Sequence, residues 1–152
     1  MDCLSLETHS KEETMQLGCS IVKSLPSGCV ITFTGDLGAG KTTFVRGIAQ
    51  GLDIKDTVQS PTFNIMKIYM KGQRPLIHID AYRLADIDTD IGLDEYIGYE
   101  TGITVIEWPE YIEKLIPEDK VEITILNKGG DNRSLTIKCK NPKVLEDIKS
   151  CM

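Results

Sequence analysis

The segment at residues 35–42 constrains the fold of this chain more than any other feature. Its letters, GDLGAGKT, fit the pattern G-x-x-x-x-G-K-[ST]. An apolar, β-branched run precedes it at residues 29–34, and a helical pattern follows from about Thr42 to Leu52. A strand, a glycine-rich turn and a helix in this order form a phosphate-binding loop, so the segment predicts a P-loop protein that binds a nucleotide.

Each residue type in the loop has a physical role. Gly35, Gly38 and Gly40 permit backbone angles that a Cβ would forbid, so that successive N–H groups turn inward as an anion nest. We expect Lys41 to neutralise the β- and γ-phosphates, and the Thr42 hydroxyl to ligate Mg²⁺. The predicted nucleotide contacts in this segment are Asp36, Leu37, Gly38, Ala39, Gly40, Lys41, Thr42 and Thr43.

The remaining patterns predict an α/β fold of the P-loop NTPase type, with 1–152 as a single domain. Helices alternate with strands first and paired strands come last, which indicates a mixed sheet with a parallel centre and an antiparallel edge, flanked by helices. Helices are predicted at Ser10–Leu25, in pieces over 85–102, and at 109–115. Strands are predicted at 29–34, 64–70, 76–80 and 103–107, with a closing hairpin of 121–126 and 134–139.

The composition excludes several classes of protein. A net charge of −6, from 17 basic and 23 acidic residues, argues against a free-standing nucleic-acid binder, although a partner that holds RNA remains compatible with it. Five scattered cysteines favour a reducing cytoplasm over a zinc or disulfide framework. The first residues do not resemble a secretory signal, and no apolar stretch approaches the roughly 20 residues that span a bilayer.

Two acidic residues are candidates for the metal side of the site. Asp80 and Glu107 each follow an apolar run, so both are expected at the carboxyl edge of the sheet, where ligands bind in open α/β folds. Either one is suited to hold Mg²⁺, directly or through water. Trp108, the only tryptophan, is either a packed residue or one that closes the site or contacts a partner. His78 is interpreted as a packed, hydrogen-bonded residue.

Two loop positions leave alternatives open. Asp36 is either a solvent-facing turn residue or a group that positions phosphate. Ser60-Pro61-Thr62 is either an ordinary turn or a switch whose Thr62 hydroxyl senses Mg²⁺ and the γ-phosphate.

The class of P-loop protein follows from absent motifs. Guanine recognition uses Asn/Thr-Lys-x-Asp, but Asn127-Lys128-Gly129-Gly130 has glycine at the acidic position, and no Asp-x-x-Gly switch occurs. ATP is therefore the expected nucleotide. A small-molecule kinase is the alternative, with the acceptor held by Asp80 and Arg83, although no cluster of arginines suggests a lid. A nucleotide-gated binding module without chemistry is a third possibility.

Several segments together resemble the TsaE (YjeE) family, the ATPase subunit of bacterial tRNA threonylcarbamoyladenosine biosynthesis. The resemblance extends from about residue 10 to residue 110, and the segments outside the P-loop make it specific. The matching segments are ET at 13–14, LG at 17–18, GDLGAGKTTF at 35–44, RG at 46–47, SPTF at 60–63, HIDAYRL at 78–84, GLDEY at 92–96 and IEWPE at 106–110.

This resemblance implies slow, Mg²⁺-dependent ATP hydrolysis that resets a larger complex. The implied partners are the subunit that transfers threonylcarbamoyl to adenosine 37 of tRNA and its paralogous companion (TsaD and TsaB type), so that tRNA is contacted only indirectly. It further implies that Lys41 and Thr42 hold phosphate and Mg²⁺, with Glu107 at the metal. Asp80 and Trp108 are implicated in activity, and Thr14 and Arg133 are implied near the adenine.

Overall fold

The computed structural model describes residues 2–35, 40–56, 58, 65–84 and 92–151, and of Asp2 and Arg83 it describes the backbone alone. The described α-helices are α1 (Lys11–Ser24), α2 (Lys41–Gly51) and α3 (Pro142–Ser150), and 3₁₀ helices occupy Tyr82–Leu84, Leu93–Glu95 and Pro109–Leu115. The strands are β1 (Asp2–Thr8), β2 (Val30–Gly35), β3 (Met66–Tyr69), β4 (Leu76–Asp80), β5 (Ile103–Glu107), β6 (Val121–Asn127) and β7 (Arg133–Cys139).

Within these residues the strands form one sheet in the order β1-β7-β6-β2-β5-β4-β3. Its centre is parallel, because β2 pairs in parallel with both β5 and β6, and β4 pairs in parallel with β5. Both edges are antiparallel, with β3 on β4 at one side and the β6-β7-β1 series at the other. The predicted mixed sheet is thereby confirmed, including the hairpin formed by β6 and β7.

The sheet is buried on both faces at its centre. On one face Ile31 and Phe33 of β2 lie in a cluster with apolar side chains of α1, α2 and α3. On the other face Val30 packs with Ile77, Ile106 and residues of the 3₁₀ segments. This two-sided burial explains why the central strands are almost continuously apolar, as expected for parallel strands covered on both sides.

Helix α1 begins at Lys11, and Ser10, the first residue of the predicted range, is its N-cap. The Ser10 hydroxyl accepts a hydrogen bond from the N–H of Glu13 at 3.0 Å. The Glu13 carboxylate in turn accepts from the N–H of His9 at 2.6 Å, one residue earlier than in the usual capping box. These two bonds satisfy N–H groups near the start of the helix and fix the direction in which the chain leaves β1.

Close contact between α1 and α2 fixes the helix that follows the predicted phosphate loop. A Cβ placed on Gly18 would lie 2.5 Å from the carbonyl oxygen of Phe44, and one on Gly47 would lie 2.0 Å from that of Met15. Both glycines therefore allow the backbones to approach more closely than any side chain would permit. The position of α2, and with it the start of the helix at Lys41, depends on this contact.

Three predicted elements differ from the observed ones by more than one residue at an end or in the type of helix. The strand predicted at 64–70 is Met66–Tyr69, and Asn64 lies outside the described residues. Of the predicted helical pieces over 85–102, residues 85–91 are not described, and Leu93–Glu95 forms a single 3₁₀ turn. The helix at Pro109–Leu115 is 3₁₀, with a kink at Ile112. None of the described helices is both long and apolar enough to cross a bilayer.

The α1–α2 contact predicts that Gly47→Ala lowers stability although alanine favours helices. Replacing glycine by alanine inside a helix ordinarily gains about 1 kcal/mol. Here the added methyl group would overlap the Met15 carbonyl, and overpacking of this kind costs about 1–3 kcal/mol or more. We expect a net loss in the free energy of unfolding, measured by urea denaturation.

Gln50→Ala is the matched control, because Gln50 is exposed on the same helix. It should change the free energy of unfolding by no more than about 0.5 kcal/mol. A Gly47→Ala protein as stable as the unmodified one would contradict the close helix contact.

Candidate functional site

The ends of three neighbouring parallel strands define the candidate site. Strand β2 ends at Gly35, and β5 and β4 end at Glu107 and Asp80. Asp80 and Glu107 are direct partners across the β4–β5 ladder, and Glu107 is the partner of Phe33 in β2. Since parallel strands place their carboxyl ends at one edge, the predicted acids lie beside Gly35, the first residue of the predicted phosphate loop.

The start of α2 presents an uncapped helix end to this edge. Gly40 precedes the helix in the left-handed region, with φ of 101°, and supplies no side-chain cap. The first N–H groups of α2 therefore have no side-chain acceptor at the N-cap position. The positive end of the helix dipole lies beside them. Such an end is suited to bind an anion.

Lys41 lies at the first position of α2 and is buried, with 7% of its surface exposed. Its ammonium lies 4.8 Å from the centre of the Trp108 ring. Among the described residues, no carboxylate is within 4.0 Å of this ammonium, because the described ion pairs involve other side chains. A buried cation held by a ring face without a paired anion is poised to accept one.

Glu107 is held from inside the protein by His78. The Nε2 of His78 and the Oε2 of Glu107 are 2.7 Å apart. His78 is fully buried and Glu107 is 5% exposed. The predicted packing and hydrogen bonding of His78 are confirmed, and its partner is the acid that the sequence analysis assigns to the metal side.

Asp80 is less enclosed and carries a perturbed carboxyl group. Its Oδ1 accepts a hydrogen bond from the N–H of Tyr82 at 3.0 Å. Burial is the largest cause that raises the pKa of Asp80, and the charge of Glu107 adds to it. The hydrogen bond from the Tyr82 N–H and the charges of His78 and Lys41 lower the pKa of Asp80. These interactions show that the predicted acids and Lys41 form one electrostatic cluster.

Trp108 has a strained backbone conformation, and its ring faces the Lys41 ammonium. Its φ is 57° and its ψ is 52°, in the left-handed region that residues with a Cβ seldom adopt. The ring lies 5.1 Å from that of Tyr82 and 6.3 Å from that of Tyr111, and these two tyrosines are 6.2 Å apart. Tyr82 is 57% exposed and Tyr111 is 38% exposed, so the aromatic cluster reaches from Lys41 to the surface.

Arg133 lies beside Gly40, and Thr14 is joined by a hydrogen bond to Thr8, the strand partner of Arg133. A Cβ on Gly40 would lie 3.3 Å from Arg133 Nε, so the Arg133 side chain passes over Gly40. Arg133 is the ladder partner of Thr8. The Thr8 and Thr14 hydroxyls are 2.7 Å apart. The Thr14 hydroxyl also donates to the Ser10 carbonyl at 3.2 Å, so its one donor hydrogen is used within the protein.

Some predicted contacts lie outside the described residues. These are Asp36, Leu37, Gly38 and Ala39 of the loop, and Thr62 of the Ser-Pro-Thr segment. Thr42 and Thr43 are described and half-buried in the first turn of α2. The structure therefore brings Gly40, Lys41, Thr42, Asp80, Glu107 and Trp108 to one edge of the sheet, with Arg133 beside them.

Sequence reasoning does not anticipate the tyrosines or the His78–Glu107 bond. Tyr82 follows Asp80 by two positions, and Tyr111 follows Trp108 by three. Nearness in sequence to these two candidate residues is the signal that could have identified both tyrosines. The alternation of His78 and Asp80 places them on one face of β4. That alternation is the signal that links His78 to the strand partner of Asp80.

Comparisons with known proteins agree on a single family. A family model described as "Threonylcarbamoyl adenosine biosynthesis protein TsaE" matches residues 8–135. A curated relative from Bacillus subtilis, named "tRNA threonylcarbamoyladenosine biosynthesis protein TsaE", is 43% identical over 136 residues, which cover 90% of this chain and 85% of the relative. A relative of the same name from Treponema pallidum is 39% identical over 139 residues, with 90% and 99% covered.

A solved structure shares the fold. The crystal structure of YdiB from Bacillus subtilis superimposes with a TM-score of 0.83 at 33% sequence identity, covering 99% of this chain and 94% of that one. The family match spans α2, the acidic ends of β4 and β5, β6 and the first residues of β7. The chain therefore belongs to the TsaE family.

Proposed function

We propose that residues 1–152 act as one P-loop ATPase domain that hydrolyses ATP with Mg²⁺ in the formation of threonylcarbamoyladenosine in tRNA. The observation that carries this proposal is the Lys41 ammonium, buried at the uncapped start of α2 with no carboxylate partner among the described residues. The names of the relatives connect the family with this modification.

The phosphates of the nucleotide fit the start of α2. N–H groups at the helix end offer hydrogen bonds, and the helix dipole favours negative charge there. Lys41 would leave the Trp108 ring and pair with the β- and γ-phosphates, exchanging a cation–π contact for a charge-assisted one. Arg133, which lies over Gly40, adds positive charge on the same side.

The residues present also suit a magnesium ion. Mg²⁺ prefers oxygen ligands and is usually held by one or two protein side chains together with waters and substrate phosphates. The Thr42 hydroxyl and the carboxylates of Glu107 and Asp80 provide such oxygens. Among the described residues no group of three or more His, Cys, Asp or Glu side chains forms a metal cage. This arrangement suits an ion that arrives with the nucleotide, and the bound ion would neutralise charge on the transferred phosphoryl group.

Phosphoryl transfer to water needs mainly positioning and charge stabilisation. In the proposed mechanism Lys41 stabilises charge on the phosphate oxygens, and Glu107 holds the metal or the attacking water with its carboxylate. Asp80 carries a carboxyl group whose pKa is raised chiefly by burial, beside Glu107. Trp108 shields Lys41 from solvent until nucleotide binds, because the ring covers the ammonium.

The proposed cellular role is to reset a complex in the cytoplasm by ATP hydrolysis. The partners are the subunit that transfers threonylcarbamoyl to adenosine 37 of tRNA and its paralogous companion. A chain with a net charge of −6 is poorly suited to bind tRNA alone, so its influence on RNA is exerted through protein contacts.

The Lys41–Trp108 contact predicts an optical signal for nucleotide binding. Mg²⁺-ATP should change the fluorescence of the single tryptophan as Lys41 moves from the ring to the phosphates. Lys41→Ala should weaken ATP binding about 10-fold or more, because a hydrogen bond to a charged group contributes about 1.5–3 kcal/mol. Titration by fluorescence and by calorimetry measures both.

Lys23→Ala is the control for this substitution, because Lys23 is exposed in the last turn of α1. It should leave ATP affinity unchanged. GTP or GDP binding more tightly than ATP would contradict the assignment of the nucleotide.

Asp80→Asn is expected to raise stability and lower turnover. A raised pKa means that ionisation of Asp80 disfavours the folded state, so stability is lost as pH rises from the ordinary value of 3.8 through the raised pKa. Asparagine retains the oxygen that accepts from the Tyr82 N–H. The variant should melt at a higher temperature than the unmodified protein at pH 7, and at the same temperature below about pH 3.8.

ATP hydrolysis by Asp80→Asn should fall about 10- to 100-fold if the carboxylate supports the metal. Asp94→Asn, a change at an exposed position, should alter neither quantity. A destabilised Asp80→Asn protein, or one with normal hydrolysis, would remove Asp80 from the proposed site.

The proposed role predicts that ATP favours a complex with the transferase and its companion more than ADP does. Thr62→Ala should reduce this difference, because the Ser60-Pro61-Thr62 segment is the expected γ-phosphate sensor. A binding titration of purified partners with ATP, ADP or no nucleotide tests this, with tRNA binding by the isolated chain measured in parallel.

Equal partner affinity in all three states would contradict the switch, and tight tRNA binding by the isolated chain at physiological salt would contradict the indirect role. Transfer of the γ-phosphate to a small hydroxylated acceptor at about 1–100 per second would favour a kinase instead. Tight ATP binding without phosphate release, even with partners, would indicate a binding module.

A further inference from the structure

We infer that His78 is a positioning residue that fixes one oxygen of Glu107 so that the other faces the metal of the bound nucleotide. This inference rests on the proposed Mg²⁺-ATP site and deepens it. The hydrogen bond between His78 Nε2 and Glu107 Oε2 is 2.7 Å long.

The direction of this bond decides which oxygen is free. His78 is the ladder partner of Val105, which precedes Glu107 by two residues on β5. The imidazole therefore approaches the carboxylate from within the sheet, on the side away from the strand ends. Oε2 is engaged by the imidazole, and Oε1 makes no hydrogen bond to a described residue. We therefore assign Oε1 to the edge of the sheet where a ligand would approach.

The chemistry of the two side chains determines which atom donates the hydrogen bond. A carboxylate only accepts hydrogen bonds, so Nε2 carries the hydrogen. The opposite ring nitrogen, Nδ1, is the buried side-chain polar atom that has no hydrogen-bond partner within the described part of the chain. Burying an unsatisfied polar atom disfavours folding, and an apolar side chain would avoid that cost. The contact with Glu107 is the polar interaction that accounts for an imidazole at this position.

A fixed Glu107 has a functional consequence. A free glutamate samples several rotamers and loses that freedom when it binds a metal. Carboxylates that ligate metals are themselves hydrogen-bonded by neighbouring groups, and loss of such a neighbour typically costs about 10- to 100-fold in metal affinity or activity. His78 restricts the carboxylate before the ion arrives, without touching nucleotide or metal itself.

Two substitutions separate the hydrogen bond from packing. His78→Gln places an amide nitrogen near the position of Nε2 and retains the donor, whereas His78→Asn places one near Nδ1 and loses it. The readout is the affinity of the protein–ADP complex for Mn²⁺, a spectroscopic substitute for Mg²⁺, measured by electron paramagnetic resonance. ADP binding in excess chelator and thermal unfolding are measured alongside.

His78→Asn should weaken Mn²⁺ binding about 10- to 100-fold, while metal-free ADP binding stays unchanged. The Mn²⁺ affinity of His78→Gln should remain within about 3-fold of that of the unmodified protein. This change is smaller than the one expected when the hydrogen-bonding neighbour of a metal ligand is lost. In a Glu107→Gln background, His78→Asn should cause no further loss, because the histidine acts through Glu107. Equal losses in both His78 variants, or additive losses in the double variant, would overturn the inference.

Failure of the inference is distinguishable from failure of the proposed function. If the unmodified protein with ADP binds no Mn²⁺, the proposed metal site is wrong and the inference falls with it. If Glu107→Gln weakens Mn²⁺ binding and His78→Asn does not, the metal site stands and the positioning role is wrong.

A measurement on the unmodified protein covers the case in which the variants do not fold. The chain has two histidines, so ¹⁵N imidazole spectra are readily assigned with a His9→Gln sample. We expect His78 as the tautomer with hydrogen on Nε2, and a shift of that resonance when Mg²⁺-ADP is added. A hydrogen on Nδ1 in place of Nε2, or no response to Mg²⁺-ADP, would contradict the inference.

Discussion

The parallel pairing of β2 with β5, and of β5 with β4, is the constraint on which the candidate site depends. It brings the end of β2, Glu107 and Asp80 to one edge, although they are far apart in sequence. The close contact between α1 and α2 then fixes the helix that carries Lys41. Backbone pairing thus sets the positions of the groups, and side-chain contacts set their directions.

The site combines several features that oppose folding. Lys41 is buried without a carboxylate partner among the described residues, and Asp80 has a raised pKa that burial mainly causes. Trp108 adopts a left-handed backbone conformation, which costs on the order of 1–3 kcal/mol for a residue with a Cβ. His78 Nδ1 is buried and has no hydrogen-bond partner among the described residues. Their convergence at one edge of an otherwise well-packed sheet is typical of a site whose ligand supplies the missing partner.

Local patterns predict most of the fold, because periodicity and cap residues act over a few positions. Helix α1 with its Ser10 cap, β2, α2, β4, β5 and the β6–β7 hairpin follow their predicted segments closely. No element is predicted at residues 2–8, where β1 pairs with β7, a strand distant in sequence, through a contact that local patterns do not encode. Helix α3 has local signals, since Asn141 caps it and Pro142 begins it, yet these are easily overlooked at a short terminal segment.

The candidate site likewise has a part that local sequence patterns predict and a part that they do not. The positions of Asp80 and Glu107 at one edge follow from two strands that each end on an acid. The Lys41–Trp108 contact and the His78–Glu107 bond depend on rotamers and on the β4–β5 register, which sequence spacing does not determine.

The central claim is that the uncapped start of α2 binds phosphate and draws Lys41 away from Trp108. A crystal structure with Mg²⁺ and a non-hydrolysable ATP analogue tests it most directly. We expect the β- and γ-phosphates at the N–H groups of α2, Lys41 Nζ within hydrogen-bonding distance of them, and the metal near Thr42 and Glu107. An analogue bound elsewhere, or Lys41 still 4.8 Å from the centre of the Trp108 ring with the analogue in place, would contradict it.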